Sequence, residues 1–301
     1  MSGDRGLPPP GFQLPPGTHP GGVRLRVSSL GRSEAFYTRI VGLQVLERTG
    51  DGVSRGAGGE GRTLVRLEAR AGLRPVPRRG RFGLFHFAIL LPDRAALGRA
   101  ARHLLREHAL PGMADHLVSE ALYLSDPDGL GIEIYADRPP ATWTYRGREL
   151  EMTTDPLDLA ALVAAGGDEP WTGVPPATTI GHVHLHVGSL ETAAAFYHAA
   201  LGFDQTVWSY PGAMFLSAGG YHHHLATNTW SPGPAPAEDE ARLVDWELIV
   251  PDASVAAGAS ASLAAAGYEA EASGAAWLAA DPWGTHVRIV PAAEASRLER
   301  A

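Results

Sequence analysis

The sequence predicts an α+β protein built from four modules, each with the order βαβββ. The first observation behind this prediction is an internal repeat: "EAFYTRIVGLQV" at residues 34–45 returns as "AAFYHAALGFDQ" at 195–206, so two halves share one plan. The second is that each half repeats again, since "HFAILLPD" at 86–93 and "DWELIVPD" at 245–252 each begin a new strand.

Both halves also end alike, with "DPDGLGIEIY" at 126–135 and "DPWGTHVRIV" at 281–290. A module opens with an alternating segment such as "VRLRV" at 23–27, which is typical of a strand with one buried face. In the helix that follows, apolar residues such as Phe196 recur at helical spacing, and Gly202 is expected to end it. Short strands separated by glycine-rich turns complete each module.

Clusters of proline and glycine indicate the expected boundaries between segments of the chain. Pro139-Pro140, Gly166-Gly167 and Pro175-Pro176 surround one short helical run and mark a linker. The expected segments are an N-terminal Pro/Gly-rich arm at 1–22, modules 1 and 2 at 23–137, the linker at 138–178, modules 3 and 4 at 179–293, and a C-terminal tail at 294–301.

Composition narrows the function classes. With 301 residues and 45% hydrophobic content the chain can bury a large core. A net charge of -8 and the lack of any basic run argue against nucleic-acid binding. No cysteine is present, so any metal must be held by His, Asp or Glu. The absence of a signal-peptide pattern and of a long apolar segment predicts a cytoplasmic protein that does not enter a membrane.

The modules, with their "FY…LG" helices and "DPdG" hairpins, resemble the vicinal oxygen chelate superfamily, which includes glyoxalase I, extradiol catechol dioxygenases and bleomycin-resistance proteins. The resemblance covers residues 23–292. More narrowly, "SDPDGLGIEIYADRP" and "GGYHHHLATNTW" resemble the four-module bacterial catechol-2,3-dioxygenase-like proteins. The resemblance implies two half-barrel domains of the vicinal oxygen chelate type, with a divalent metal inside a half-barrel.

Ligand positions follow from the resemblance, because a module of this superfamily can offer one ligand from its first strand and one from its last. Aligning the first strands gives Gly22, His86, His182 and Asp245; aligning the last strands gives Glu133 and Arg288, with Glu68 as a loose match. Only modules 2 and 3 therefore keep a usable set, namely His86, Glu133 and His182. These three meet only if module 2 pairs with module 3 and module 1 with module 4.

Two histidines and one carboxylate on one face form the facial triad of non-haem Fe(II) sites, so Fe(II) is the expected metal, with Mn, Ni, Co or Zn as alternatives. Glu133 lies in the apolar frame "GIEIY", where a buried carboxylate needs a cation as its partner.

Further candidates surround this set. Strand alternation in "YHHHLATNTW" predicts that His224 is a fourth ligand or a support for the ligands, that His222 enters the same cavity, and that His223 points away. The other pocket candidates are His184, Asn228 and Trp230. By the same resemblance, His116 would be the acid–base group, and Tyr123, ten residues before Glu133, would hydrogen-bond the bound phenolate.

The expected function is that of an extradiol-type dioxygenase, in which a catechol-like aromatic chelates the metal through two vicinal oxygens and O2 takes a remaining position. Two alternatives stay open. One is a glyoxalase-type lyase or isomerase that uses its metal as a Lewis acid, and the other is a binding protein that sequesters an aromatic antibiotic or natural product. The sequence is equally compatible with a monomer and a homodimer.

Overall fold

The computed structural model describes residues 5–50, 52–58, 62–77 and 79–298. In the first half, module 1 consists of β1 (His19–Val27), α1 (Leu30–Phe36) with a π-helical continuation (Tyr37–Val41), β2 (Gln44–Thr49), β3 (Gly52–Gly56) and β4 (Thr63–Ala69). Module 2 consists of β5 (Gly83–Leu90), α2 (Arg94–Arg106), β6 (Gly112–Asp115), β7 (Ser119–Ser125) and β8 (Gly131–Asp137).

The connection between the halves holds a 3-10 turn (Pro140–Thr142), β9 (Tyr145–Arg146), β10 (Glu149–Leu150) and α3 (Leu159–Ala165). Module 3 consists of β11 (Thr179–His186), α4 (Leu190–Ala193) with a π-helical continuation (Ala194–Ala200), β12 (Asp204–Val207), β13 (Ala213–Ser217) and β14 (Leu225–Asn228). Module 4 consists of β15 (Arg242–Val250), α5 (Ala253–Ala265), β16 (Ala270–Ser273), β17 (Ala276–Ala280) and β18 (His286–Pro291), and α6 (Ala292–Leu298) follows. The predicted α+β fold of four βαβββ modules is confirmed.

Two curled eight-stranded sheets form the two half-barrels. One has the order β16-β17-β18-β15-β1-β4-β3-β2, and the other has the order β12-β13-β14-β11-β5-β8-β7-β6. Modules 1 and 4 thus share one sheet, and modules 2 and 3 share the other. At the centre of each sheet, the first strands of the two modules pair in antiparallel orientation. The candidate ligands His86, Glu133 and His182 can meet only if module 2 pairs with module 3, and this is the pairing observed.

Two segment ends differ from the expected boundaries. β1 begins at His19 rather than at residue 23, because residues 19–20 pair with β15 although Pro20-Gly21-Gly22 has little strand propensity. Helix α6 covers the first residues assigned to the C-terminal tail. The linker contains the expected helical run as α3, and it also contains the β9–β10 hairpin, which was not expected. None of the helices in the described part of the chain combines the length and apolarity that crossing a bilayer requires.

The two recurrent sequence motifs are joined by a buried hydrogen bond. In the second half, the Tyr197 hydroxyl of the "FY" helix donates to Asp281 Oδ2 of the "DPWG" turn at 2.9 Å, and Asp281 Oδ1 accepts the backbone N–H groups of Trp283 and Thr285. In the first half, the Tyr37 hydroxyl donates to Asp126 Oδ2 at 3.3 Å. The motifs recur together because each tyrosine fastens a helix of one module to the final turn of the next.

Substituting Tyr197→Phe tests this connection. The buried Asp281 carboxylate would lose a donor, so we expect the free energy of unfolding to fall by about 1 to 3 kcal/mol. Urea denaturation followed by far-UV circular dichroism measures the change. Tyr268→Phe is the matched control, because Tyr268 packs edge-on against Phe196 with ring centroids 4.9 Å apart and its hydroxyl has no hydrogen bond to a described residue. Equal loss in both variants would contradict the proposed role of the bond.

Candidate metal centre

The central strands of the second sheet bring the candidate ligands together. On β5 and β11 the opposed pairs are His86 with His184 and Ala88 with His182, so His86 and His182 occupy equivalent positions of the two modules. Strand β8 runs parallel to β5 and places Glu133 beside Ala88. These three predicted ligands therefore meet on the concave face of one half-barrel.

The three ligand groups are close and buried. Glu133 Oε2 lies 3.0 Å from His86 Nε2 and 3.1 Å from His182 Nε2, and one ligand atom of each residue lies within 4.8 Å of the others. The side chains are between 2% and 6% exposed. Among the residues that the structure describes, this is the one group of three or more side chains with metal-ligand geometry.

Electrostatics and hydrogen bonding favour a cation in this group. Burial lowers the pKa of His182 to about 4, so its imidazole is neutral at pH 7 and able to act as a ligand. Burial raises the pKa of Glu133, but the neighbouring His182 and His86 hold it well below the usual range. The buried Nε2 of His86 makes no well-directed hydrogen bond. Two imidazoles and a carboxylate, with His86 Nε2 left without a partner beside that carboxylate, fit a divalent metal ion.

A second pair of predicted residues lies beside the ligands. Tyr123 on β7 is directly opposite Glu133, and its hydroxyl is 2.6 Å from His116 Nε2. His116 Nδ1 is 2.6 Å from the carbonyl oxygen of Thr153, which can only accept, so Nδ1–H donates there. In the neutral form of the ring, Nε2 then accepts the hydrogen bond of the Tyr123 hydroxyl. Burial, and then the negative charge of Glu133, raise the pKa of Tyr123 well above 10, which keeps its hydroxyl protonated.

A cavity of about 220 Å³ adjoins the ligands, and His116 and Tyr123 also line it. Aromatic side chains form the facing wall, among them Phe85, Phe215 and Trp230. The volume is below the roughly 300 Å³ at which pockets for drug-sized ligands begin. The cavity therefore suits a ligand with a single ring.

The remaining pocket candidates occupy different positions. His184 and Trp230 line the cavity, and their ring centroids are 5.5 Å apart. Asn228 stands behind them: its Nδ2 donates to His184 Nε2 at 2.8 Å, and its Oδ1 accepts from His186 Nδ1 at 2.7 Å. Asn228 thus fixes the orientation of both imidazoles and does not itself line the cavity.

The histidine triplet differs from the expectation based on strand alternation. His223 lines the cavity and lies against His182, with ring centroids 4.0 Å apart, although it was expected to point away. His222 lies behind the wall and is hydrogen-bonded to Asp137. The reason is that β14 begins only at Leu225, after Gly219 and Gly220 with φ of 67° and 82°, so the triplet is an irregular segment without strand periodicity.

His224 does not join the ligand group. Its Nδ1 is 3.2 Å from Ser217 Oγ and accepts the backbone N–H of Ala218 at 3.2 Å. The strand register explains this. Ala226 pairs with His184 on β11, and Glu133 pairs with Ala88 at the equivalent position of β5. Ala226 therefore has in module 3 the position that Glu133 has in module 2, and its side chain has no ligand atom.

One part of the cavity wall comes from the linker, to which the sequence assigned no function. Met152, Thr153 and Thr154 line the cavity, and the Thr154 hydroxyl lies 2.8 Å from the hydroxyl of Tyr210. An isolated antiparallel bridge between Asp115 and Asp155 holds this segment against module 2. No local sequence pattern indicates such a long-range contact.

The other half-barrel carries an ion-pair cluster on the equivalent strands. Arg24 Nε donates to Asp245 Oδ2 at 2.8 Å, and its Nη1 donates to Glu68 Oε1 at 3.3 Å. Asp245 corresponds to His182, so the cation near this position is a guanidinium of the chain itself.

A half-barrel of paired βαβββ modules with a His–Glu–His group on its concave face defines a metal-binding fold of the glyoxalase type. A family model described as "Glyoxalase/Bleomycin resistance protein/Dioxygenase superfamily" matches residues 19–134 and 179–286. The chain belongs to this superfamily, and the resemblance noted in the sequence is confirmed.

Relatives agree with this assignment. The chain is 49% identical over 223 residues to a protein of Bacillus subtilis (strain 168) named "Catechol-2,3-dioxygenase", covering 73% of this chain and 77% of that protein. Among solved structures, a putative dioxygenase from Bacillus subtilis subsp. subtilis str. 168 is similar with a TM-score of 0.66 at 14% identity, over 93% of this chain and 86% of the other. Glyoxalase I from Zea mays has a TM-score of 0.56 at 18% identity, over 94% and 95%. The two structures support the fold alone.

Metal retention tests the ligand group. Protein loaded with Fe(II) under nitrogen and then desalted should retain about one ion per chain. Loss of a residue that only supports a ligand typically lowers metal affinity by about 10- to 100-fold, and Glu133→Gln or His86→Ala should lower it by more than that. Elemental analysis measures the content. Glu68→Gln, in the other half-barrel, is the control and should retain the ion. Equal metal content in Glu133→Gln and the unsubstituted protein would contradict the assignment.

Proposed function

We propose that the protein is a metal-dependent extradiol-type dioxygenase that cleaves the ring of a catechol-like aromatic. The main support for the proposal is that the His86–Glu133–His182 group and the hydrogen-bonded pair of His116 and Tyr123 line the same cavity. The relative named "Catechol-2,3-dioxygenase", at 49% identity, supports the same substrate class.

The metal would be held by Nε2 of His86, Nε2 of His182 and the carboxylate of Glu133. The expected ion is Fe(II), since three ligands on one face leave coordination positions open. The chemistry that a bound Fe(II) supplies is chelation of two vicinal oxygens and activation of O2.

The protein's own groups would handle the substrate proton. The carbonyl oxygen of Thr153 holds the N–H of His116 on Nδ1, which leaves Nε2 as the basic nitrogen. Tyr123 lies between this nitrogen and the ligand group, 2.6 Å from Nε2 and opposite Glu133. His116 would therefore accept the proton of a substrate hydroxyl through Tyr123 and return it later as a general acid.

The cavity walls would orient the ring. Phe85, Phe215 and Trp230 provide apolar and aromatic surface facing the ligand group, on which a planar ring can pack. The volume of about 220 Å³ suits a small aromatic ring.

Turnover of catechol by the Fe(II)-loaded protein tests this function. We expect O2 uptake together with the yellow absorption of a ring-cleaved product. His116→Gln should lower kcat by about 10²- to 10⁴-fold, the usual contribution of a positioned acid–base group. His198→Gln is the matched control, because His198 Nδ1 is also bonded to a carbonyl oxygen, that of Phe203 at 2.7 Å, but lies outside the cavity.

Other outcomes would identify other functions. Turnover of a substrate without O2, with Ni, Co or Zn in place of Fe(II), would indicate a lyase or isomerase of glyoxalase type. Tight binding of an aromatic compound that survives removal of all metal, with no product, would indicate a sequestering protein. Either result would contradict the proposed dioxygenase activity.

A further inference from the structure

A second, larger cavity lies between the two half-barrels, and we call it the inter-barrel cleft. Its volume is about 1110 Å³, slightly above the roughly 300 to 1,000 Å³ typical of small-molecule pockets. Residues of β1 and β15 line it from one sheet, and residues of β5, β7 and β8 line it from the other. The cleft shares Phe85, His86 and Tyr123 with the cavity at the metal centre. The metal ligands and the acid–base pair do not account for so large a space.

Two arginines oppose each other in the wall that β1 and β15 form. Arg26 and Arg242 are cross-strand partners in this antiparallel pair, and both line the cleft. Directly opposite residues have Cβ atoms about 4.5 to 5.5 Å apart, and like charges in such positions destabilise a sheet. Burial, and then the positive charge of Arg26, lower the pKa of Arg242. A bound anion would relieve this unfavourable arrangement.

The carboxylates of the protein do not neutralise the pair. Arg26 makes no hydrogen bond or ion pair with a residue in the described part of the chain, and Arg242 donates there only to a backbone carbonyl oxygen. Glu68, the neighbour of Arg26 on β4, accepts a hydrogen bond from Arg24 instead. Glu238 attracts Arg242, but it is exposed, and it is the one acidic residue among the described residues that line the cleft.

The cleft also offers apolar surface. Phe82 and Trp283 line it with ring centroids 6.2 Å apart, and Leu243 and Val244 line it next to Arg242. Guanidinium groups bind carboxylates through paired hydrogen bonds, and aromatic side chains pack against an apolar body. The combination favours an organic carboxylate over a bare inorganic anion.

We propose that Arg26 and Arg242 form an anion site in the inter-barrel cleft, and that this site binds a small organic carboxylate with an apolar body. The two guanidinium groups hold the carboxylate between them, and the apolar part of the wall packs against the rest of the ligand. An anion site also gives a reason for two like charges that oppose each other without a carboxylate of the chain between them.

Two sources of such an anion share this chemistry. Extradiol cleavage breaks the ring bond beside one hydroxyl-bearing carbon and adds both atoms of O2, so that this carbon becomes a carboxylate and the other carbon of the broken bond an aldehyde. The protein's own product is therefore one source, and this source rests on the proposed function. An organic acid made by another reaction is the second source and does not depend on it.

Calorimetric titration with phenylacetate tests the site. The Fe(II)-loaded full-length protein, without O2, should bind phenylacetate at least about tenfold more tightly than the neutral phenylacetamide. Arg26→Gln and Arg242→Gln should each raise the Kd of phenylacetate by about 10- to 100-fold, as expected for loss of a hydrogen bond between charged groups. Arg66→Gln is the matched control, because Arg66 lies on β4 of the same half-barrel but does not line the cleft.

Glu133→Gln separates binding in the cleft from binding to the metal. Glu133 lines the cavity at the metal centre but not the cleft, so the Kd of phenylacetate should change by less than about twofold. No binding of phenylacetate, or an unchanged Kd in both Arg26→Gln and Arg242→Gln, would overturn the proposal. Loss of binding in Glu133→Gln, or tighter binding of inorganic phosphate than of phenylacetate, would overturn it as well.

The stability of Arg26→Gln distinguishes a binding pair from a structural one. Without a ligand, removing one of two opposed like charges should leave the free energy of unfolding unchanged or raise it, most clearly at low ionic strength. Urea denaturation measures the change. A clear fall would show that the guanidinium of Arg26 supports the fold, and it would contradict the proposed role.

Product inhibition of catechol turnover identifies the source of the anion. If the ligand is the protein's own product, the ring-cleaved acid should inhibit turnover, and its Ki should rise about tenfold in Arg26→Gln. If the ligand is another acid, the Ki of the product should be equal in both proteins, while phenylacetate binding still depends on Arg26. If catechol is not turned over at all, the proposed function is wrong, and the phenylacetate titration still decides whether the anion site exists.

Discussion

The antiparallel pairing of β5 with β11 is the constraint on which the centre depends. It places His86 and His182 two residues apart across neighbouring strands, and the parallel strand β8 adds Glu133. A carboxylate buried between Ile132 and Ile134 costs several kcal/mol, on the order of a lost buried charge pair, unless a cation compensates it. The same pairing that builds the sheet therefore also creates the demand for a metal.

The other half-barrel neutralises the carboxylates on its equivalent strands in a different way. There Asp245 and Glu68 face Arg24, whose guanidinium belongs to the chain. A guanidinium neutralises carboxylates and satisfies their oxygens, but it offers no coordination position to a substrate. One fold thus carries a permanent internal cation in one half and a group suited to an exchangeable ion in the other, which favours the proposal that the chemistry takes place in modules 2 and 3.

The sequence predicted best what regular strands determine. The meeting of His86, Glu133 and His182 could be predicted because the resemblance indicates which positions of the first and last strands offer ligands, and the regular register of these strands brings the positions together. Alternation failed for the triplet because it presupposes an extended strand, and Gly219 and Gly220 interrupt the chain just before it. The linker wall could not be predicted at all, because the bridge between Asp115 and Asp155 depends on tertiary contact rather than on local pattern.

This contrast suggests that regular strands and irregular segments contribute different groups to the cavity. Metal ligands need positions held to a fraction of an ångström, and paired strands supply them. The groups that would touch the substrate come partly from irregular segments, namely His223 after the glycine pair and Met152 in the linker. Such segments tolerate changes of length and composition better than central strands do. Substrate preference can therefore change through the triplet and the linker while the ligand group stays intact, because neither segment contributes a ligand atom to it.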